Sequence, residues 1–90
     1  MKNQTVNIYN DGNVVLDAEI KGDSLTIISN VFGEMDSEKT YSFSREETAE
    51  LFEIIPFEGL IELCKEKGMC GLEEFLEENK IVPKTFTWVD

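Results

Sequence analysis

The chain has 90 residues, a length that fits one domain, and its 19 acidic against 8 basic residues give a formal net charge of −11. It contains no histidine and only two cysteines. Histidine-ligated metal sites and nucleophile–histidine pairs are therefore excluded within one chain, and the lack of a basic patch argues against direct binding to nucleic acid. The apolar fraction of 41% is typical of a globular protein, so we expect residues 1–90 to form a single domain.

The sequence predicts no membrane span, because its longest apolar runs are two or three residues and a spanning helix needs about 20. Residues 1–5 contain no apolar signal region. Two cysteines are also too few for the disulfide framework of a small secreted protein. We therefore expect a cytoplasmic protein.

Apolar and polar residues alternate along the first half of the chain, which is the period of half-buried β-strands. The Asp11-Gly12 pair is a hairpin signal, because both residues tolerate positive φ. Tyr41 and Phe43 are two residues apart and so lie on the same face of their strand, which we expect to face the core. The pattern predicts an antiparallel meander of four strands, at residues 5–9, 14–20, 25–32 and 39–43.

At Ser44 the period changes to that of a helix. Ser44 and Glu47 have the spacing of a capping box, and Pro56 ends the helix that follows. Gly68 is a natural helix-ending residue because glycine adopts positive φ at little cost, and Gly71 begins a further apolar stripe. The sequence thus predicts three short helices, separated at Pro56 and at residues 68–71.

After Pro83 the alternation returns in residues 85–89, where Phe86 and Trp88 share a face that we place in the core. Tyr9 falls on the polar parity of the first strand, and its surroundings are left open. The predicted order ββββαααβ indicates an α+β fold. We expect an antiparallel β-sheet, made of the four-strand N-terminal meander plus the C-terminal strand, covered on one face by the three helices.

The acidic excess lies mainly on the predicted helices: residues 45–78 carry eleven acids and three bases, whereas residues 79–90 carry one acid and two bases. Like charges four residues apart destabilise a helix by about 0.2–0.5 kcal/mol per pair. Two interpretations stay open, a surface that only confers solubility and a landing surface that attracts a basic partner. The candidate partner-binding residues are Glu46, Glu50, Glu53, Glu58, Glu62, Glu66, Glu73, Glu74, Glu77 and Glu78.

The two cysteines point to no chemistry of their own. Cys64 falls on an apolar helical stripe, where a buried structural thiol is expected, and Cys70 lies between helices in a more exposed place. Two cysteines supply half of a zinc site, and neither has a histidine base for thiol catalysis. A disulfide between them is an alternative that would close only a short loop. We expect no catalytic residue, no metal and no cofactor, and a homodimer is left open.

These features predict a small, acidic, non-enzymatic binding protein that inhibits or antagonises a basic partner, such as a nuclease, a toxin or a nucleic-acid-binding effector. Toxin-immunity proteins and phage anti-defence proteins, including anti-CRISPR proteins, share this size and acidity. Rows of carboxylates can also stand where phosphates would stand, as in a nucleic-acid mimic. The alternative is a generic protein-interaction domain or small subunit that docks through a sheet edge, with an acidity that serves only solubility.

Overall fold

The computed structural model describes residues 3–89, which form one antiparallel sheet and two helices. The sheet order is β1-β2-β3-β4-β5, so every strand lies beside its neighbour in chain order. The elements are β1 (Gln4–Asn10), β2 (Val14–Lys21), β3 (Ser24–Val31), β4 (Ser37–Ser42), α1 (Arg45–Ile54), α2 (Phe57–Glu78) and β5 (Lys84–Val89).

The four N-terminal strands form the predicted meander, and β5 joins it beside β4. The β1–β2 turn is closed by Asp11, whose Oδ1 accepts hydrogen bonds from the backbone N–H groups of Asn13 (2.8 Å) and Val14 (2.7 Å). Gly12 follows Asp11 at φ 93°, a conformation that favours glycine. The Asp11-Gly12 signal is thus confirmed as a turn.

The pairing of β1 with β2 is interrupted by a β-bulge. Asn7 is paired with Asp17 whereas Tyr9 is paired with Leu16, so β1 contains one residue more than β2 at this point. Paired residues share a face of the sheet. Tyr9 therefore lies on the side of the buried Leu16, although simple alternation along the strand assigns it to the opposite, polar side.

Helix α1 begins at the predicted capping box. The N–H of Glu47 donates to Ser44 Oγ (3.2 Å), and the N–H of Ser44 donates to the Glu47 carboxylate (2.8 Å). The hydroxyl of the buried Thr48 accepts a hydrogen bond from the backbone N–H of Leu25 at 3.1 Å, which fixes α1 against β3. Pro56 then separates α1 from α2, as the sequence predicts.

The prediction of three helices is wrong, because residues 57–78 form the single kinked helix α2. The kink lies at Gly68, whose φ of 65° and ψ of −158° are not helical. The sequence correctly marks Gly68 as a residue with positive φ, but the chain resumes helical geometry directly instead of entering a loop. Gly71 permits this tight continuation, because a Cβ at that position would collide with the side chain of Lys67.

One core lies between the helices and one face of the sheet. Leu25 and Ile27 of β3 pack in the same cluster as Leu51 of α1 and Leu60 of α2, and all four are almost inaccessible to solvent. Both helices therefore cover the same face of the sheet. The predicted inward positions are confirmed as buried for Tyr41, Phe43 and Cys64, and Leu72 and Leu76 of the apolar stripe after Gly71 are buried as well.

Strand β5 lies outside this core, and the predicted burial of Phe86 and Trp88 is wrong: they are 60% and 57% exposed. Phe86 is paired with Thr40 and Trp88 with Glu38. Thr40 and Glu38 lie on the face of β4 opposite to Tyr41, which faces the helices. The two aromatic side chains therefore lie on the face of the sheet that the helices leave bare. Every residue of β5 is exposed, although on its other face Thr85 lines a cleft together with Leu76 and Glu77 of α2.

Candidate functional site

The ten glutamates predicted to bind a partner are all exposed, and all lie on the two helices. Because both helices pack on one face of the sheet, these side chains belong to the helical side of the molecule. We call this set the glutamate surface. It comprises Glu46, Glu50 and Glu53 on α1, and Glu58, Glu62, Glu66, Glu73, Glu74, Glu77 and Glu78 on α2.

Few cations neutralise the glutamate surface. Within residues 3–89 its only ion pair joins Glu73 to Lys39, at 3.1 Å. The other two ion pairs of this region involve acids outside that surface, in β2 and in the turn after it (Lys21–Glu19 at 2.9 Å and Arg45–Asp23 at 3.5 Å). The helical side therefore presents a row of carboxylates whose charge is balanced mainly by solvent ions.

Glu73 differs from the other glutamates because it ties α2 to β4. Its Oε1 accepts hydrogen bonds from the hydroxyl of Tyr41 and from Lys39 Nζ, which also lies 5.2 Å from the centre of the Tyr41 ring. The bonds from Tyr41 and Lys39 lower the pKa of Glu73. Burial, and then the bond to Glu73, raise the pKa of Tyr41. Glu73 therefore has a structural role as well as a place on the charged surface.

A cleft of about 290 Å³ lies between the β1–β2 hairpin and the kink of α2. Val14, Leu16 and Met69 contribute apolar walls. Tyr9 and Asp11 line the hairpin side, where the hydroxyl of Tyr9 donates to Asp11 Oδ2 at 3.0 Å. The β-bulge creates this arrangement, because it turns Tyr9 toward the helical side of the sheet.

Two ionisable groups of this cleft, Asp11 and Tyr9, are engaged in structural hydrogen bonds, and Lys65 also lines the cleft. Hydrogen bonds from the N–H groups of Val14 and Asn13 lower the pKa of Asp11, and the bond to Asp11 raises the pKa of Tyr9. Burial raises the pKa of Cys64 to about 11, so its thiol stays protonated at neutral pH. The predicted structural role of Cys64 agrees with this burial. The cleft offers shape and apolar contact, but no activated nucleophile.

The second cysteine is exposed as predicted, and both cysteines are free thiols, so the alternative of a disulfide between Cys64 and Cys70 is wrong. In the part of the chain from residue 3 to residue 89, no group of three or more cysteine, aspartate or glutamate side chains is placed to hold a metal ion. The helices of the same region include none that is both long and apolar enough to cross a bilayer.

The other candidate surface is the free edge of β5. The sequence leaves docking through a sheet edge as an alternative but does not indicate which edge. We call this surface the β5 edge and define it as Lys84–Val89 with the exposed Phe86, Trp88 and Val89.

Comparisons of this chain with known protein families, with curated proteins and with solved structures found no match.

Proposed function

We propose that this chain is a non-enzymatic binding protein that captures and antagonises a basic partner protein through the glutamate surface. The observation that carries the proposal is the exposure of all ten glutamates on the same side of the molecule. Nine of them form no ion pair with any residue from 3 to 89. Glu46 and Glu58 lie in the first turns of their helices, where a negative charge is favourable. The helices themselves do not explain the other unpaired glutamates, since like charges along a helix weaken it.

Electrostatics gives this surface a physical role in binding. A surface of one sign raises the rate of encounter with an oppositely charged partner and excludes partners of like charge. Successive carboxylates at four-residue spacing are about 6 Å apart along a helix, because each residue advances the axis by about 1.5 Å. Glu58, Glu62 and Glu66 form such a row on the first half of α2. A protein surface that binds a phosphate backbone is the kind of basic partner that this row would suit.

The partner class is accordingly a nuclease, a toxin or a nucleic-acid-binding effector, and the proposed role is that of an immunity or anti-defence inhibitor. The absence of histidine supports binding over catalysis, as does the protonated thiol of Cys64. We place this function in the cytoplasm, where cysteines normally remain free thiols, as Cys64 and Cys70 are here.

The first experiment identifies the partner. The immobilised protein is exposed to extracts of the source cell and of its phages or competitors, and bound proteins are released by a salt gradient. A purified partner is then titrated by calorimetry at low and high salt, and its own activity is assayed with and without the chain. We expect a basic protein whose activity is inhibited and whose affinity falls as salt rises.

The second experiment maps the surface by charge reversal. Glu58, Glu62 and Glu66 are changed together to Lys, and the matched control changes Glu19, Glu34 and Glu38 on the sheet and its turns to Lys. Both variants alter the net charge equally. We expect the helical variant to lose at least about tenfold more affinity than the control, a difference of about 1.4 kcal/mol. Equal losses in the two variants, or binding that ignores both salt and reversal, would refute capture by the glutamate surface.

The β5 edge supports a second candidate function, docking of a partner by strand addition. An edge strand exposes unpaired backbone groups to which another strand can add. In this case the exposed Phe86 and Trp88 supply side-chain contacts, and acidity serves solubility. Replacing Trp88 with Lys then weakens partner binding more than the triple reversal on α2 does, which separates the two candidates in one titration series.

A further inference from the structure

We propose that the β5 edge is a self-association site, at which β5 of one chain pairs antiparallel with β5 of a second copy. The two five-stranded sheets then join into one continuous sheet. This inference goes beyond the proposed function and does not depend on it. It rests on the exposure of β5, on its pairing geometry, on the order of its residues and on the distribution of charge.

The β5 edge lacks the features that keep edge strands apart. Its pairing with β4 runs without a register shift from Ser42↔Lys84 to Ser37↔Val89, so no bulge bends the edge away. Every residue is exposed, and the apolar Phe86, Trp88 and Val89 are each more than half exposed. Lys84 is the only charged residue within the strand. Regular, apolar and uncovered edges of this kind pair with other strands.

Geometry restricts how two copies of β5 can pair. In an antiparallel pair, residues directly opposite have the same hydrogen-bonding direction and lie on the same face. A symmetric pair of identical strands must therefore be centred on one residue that faces itself. Centring on Thr87 places Phe86 opposite the partner's Trp88, and Thr85 opposite the partner's Val89. The segment is thus complementary to itself, with two aromatic cross-strand pairs and two pairs of β-branched residues.

Neighbouring registers are poorer. Centring on Phe86 places Val89 opposite Pro83, which has no N–H to donate. Centring on Trp88 places Trp88 opposite itself, so the pairing of Phe86 with Trp88 is lost. The register centred on Thr87 is the one in which residues 85–89 of both strands pair throughout.

The charge distribution favours contact between two such acidic chains through β5 over contact through the helical side. Residues 79–90 contain two lysines and one aspartate, whereas the other residues contain 18 acids and 6 bases. In the register centred on Thr87, Lys84 lies diagonally across from the partner's Trp88, within reach of a cation–π contact. On the helical side, by contrast, a second copy would meet the acidic excess of residues 45–78.

The decisive test is a cysteine cross-link. Thr87→Cys is made in a Cys70→Ser background, which removes the exposed native thiol and leaves the buried Cys64. Facing Cα atoms in an antiparallel pair are about 4.5–5.5 Å apart, and disulfides span about 4.4–6.8 Å. We expect rapid formation of a covalent dimer under mild oxidation. The matched control, Thr85→Cys, should cross-link slowly, because its own copy lies about four residues away, or roughly 13 Å along the strand.

The second measurement is sedimentation equilibrium of the unmodified chain over a range of concentrations and salt. We expect reversible dimers that become tighter at higher salt, because salt screens the repulsion between two acidic chains. Thr87→Lys should weaken association roughly five- to tenfold by opposing two like charges, whereas Thr5→Lys on β1 should have no effect.

A single-chain mass at every concentration, equal effects of the two lysine variants, or faster cross-linking from Thr85→Cys would each overturn the proposal. A single-chain mass at every concentration would favour pairing of the β5 edge with a strand of another protein instead.

Discussion

The sheet ends on one side in β1 and on the other in β5, and the two edge strands differ in cover, regularity and composition. β1 contains a β-bulge, carries polar side chains along its outer edge and contributes Ile8 to the core under α2. β5 has no register shift, carries Phe86 and Trp88 and contributes nothing to the core. One edge strand therefore takes part in the core of its own chain, and the other does not. This difference shows that an edge strand can complete the sheet without adding to the core.

The first test of this comparison removes one side chain from each edge strand, β1 and β5. Ile8→Ala should lower the free energy of unfolding by about 2–4 kcal/mol, because Ile8 is only 5% exposed and its loss leaves a cavity. Trp88→Ala should cost less than about 1 kcal/mol despite the larger side chain, because Trp88 is mostly solvated. Urea unfolding at a concentration that keeps the chain monomeric measures both. Equal losses would show that β5 is as integrated as β1.

The second prediction concerns the kink that directs α2 across the sheet. Cys64 and Met69 line the cleft beside β1, whereas Glu73 contacts Tyr41 on β4, so the kink at Gly68 turns the helix toward β4. Gly68→Ala should destabilise the fold by about 1–3 kcal/mol, because its backbone lies in a region open almost only to glycine.

Gly33→Ala is the matched control for the kink, since Gly33 has open space around it and no positive φ. Its unfolding free energy should stay within about 0.5 kcal/mol of the native chain. A Gly68→Ala chain as stable as the control would mean that α2 tolerates a straight path over the sheet.

The third prediction tests the hairpin that supports the bulged edge. Asp11→Ala should lower the midpoint of thermal unfolding, because it removes the acceptor of two backbone N–H groups and of the Tyr9 hydroxyl. Asp23→Ala in the next turn should lower it much less, since Asp23 makes one exposed ion pair with Arg45. Thermal unfolding of the two variants in parallel checks the difference. A larger loss from Asp23→Ala would contradict this account of the turn.

The smallest expected effect is a pH dependence on the β4 side. The Tyr41 and Lys39 bonds lower the pKa of Glu73 in the folded chain below its ordinary value of about 4.3. A lowered pKa stabilises the fold above the ordinary value, and this contribution is lost as pH falls through the lowered pKa. Glu73→Gln should therefore reduce the loss of stability in acid by about 0.5 kcal/mol after allowance for solvent screening. The control is Glu74→Gln, at the exposed neighbouring position. Unfolding curves at neutral and acid pH measure both variants. An equal effect of the two substitutions would contradict the stabilising role of Glu73.

What the sequence predicted correctly is local in origin. The capping box of Ser44 and Glu47, the turn at Asp11-Gly12 and the break at Pro56 each depend on a few adjacent residues, whose backbone preferences are known from their chemistry. The exposure of the glutamates followed in the same way, since they lie between the apolar positions of each helical stripe. These predictions needed no knowledge of the neighbouring elements.

The errors arose where distant parts of the chain meet. The position of Tyr9 depends on a bulge opposite β2, which a strand's own alternation does not reveal. Gly68 has the predicted positive φ, but the chain resumes helical geometry directly after it, where Gly71 leaves room for the Lys67 side chain. The aromatic character of Phe86 and Trp88 predicts a place in the core, whereas both lie on the face of the sheet that the helices leave bare.

The position of β5 in the chain also has a consequence for folding. It pairs with β4 across the whole helical segment, so Thr40 and Phe86 meet only after a loop of more than forty residues has closed. Contacts of such separation form late, whereas the hairpins of the meander form early. Synthesis runs from the N-terminus, so β5 is made after β4, the strand with which it pairs. Until β5 is made, β4 is the edge strand of the sheet. Its residues are mainly polar and offer few apolar contacts to another incomplete chain.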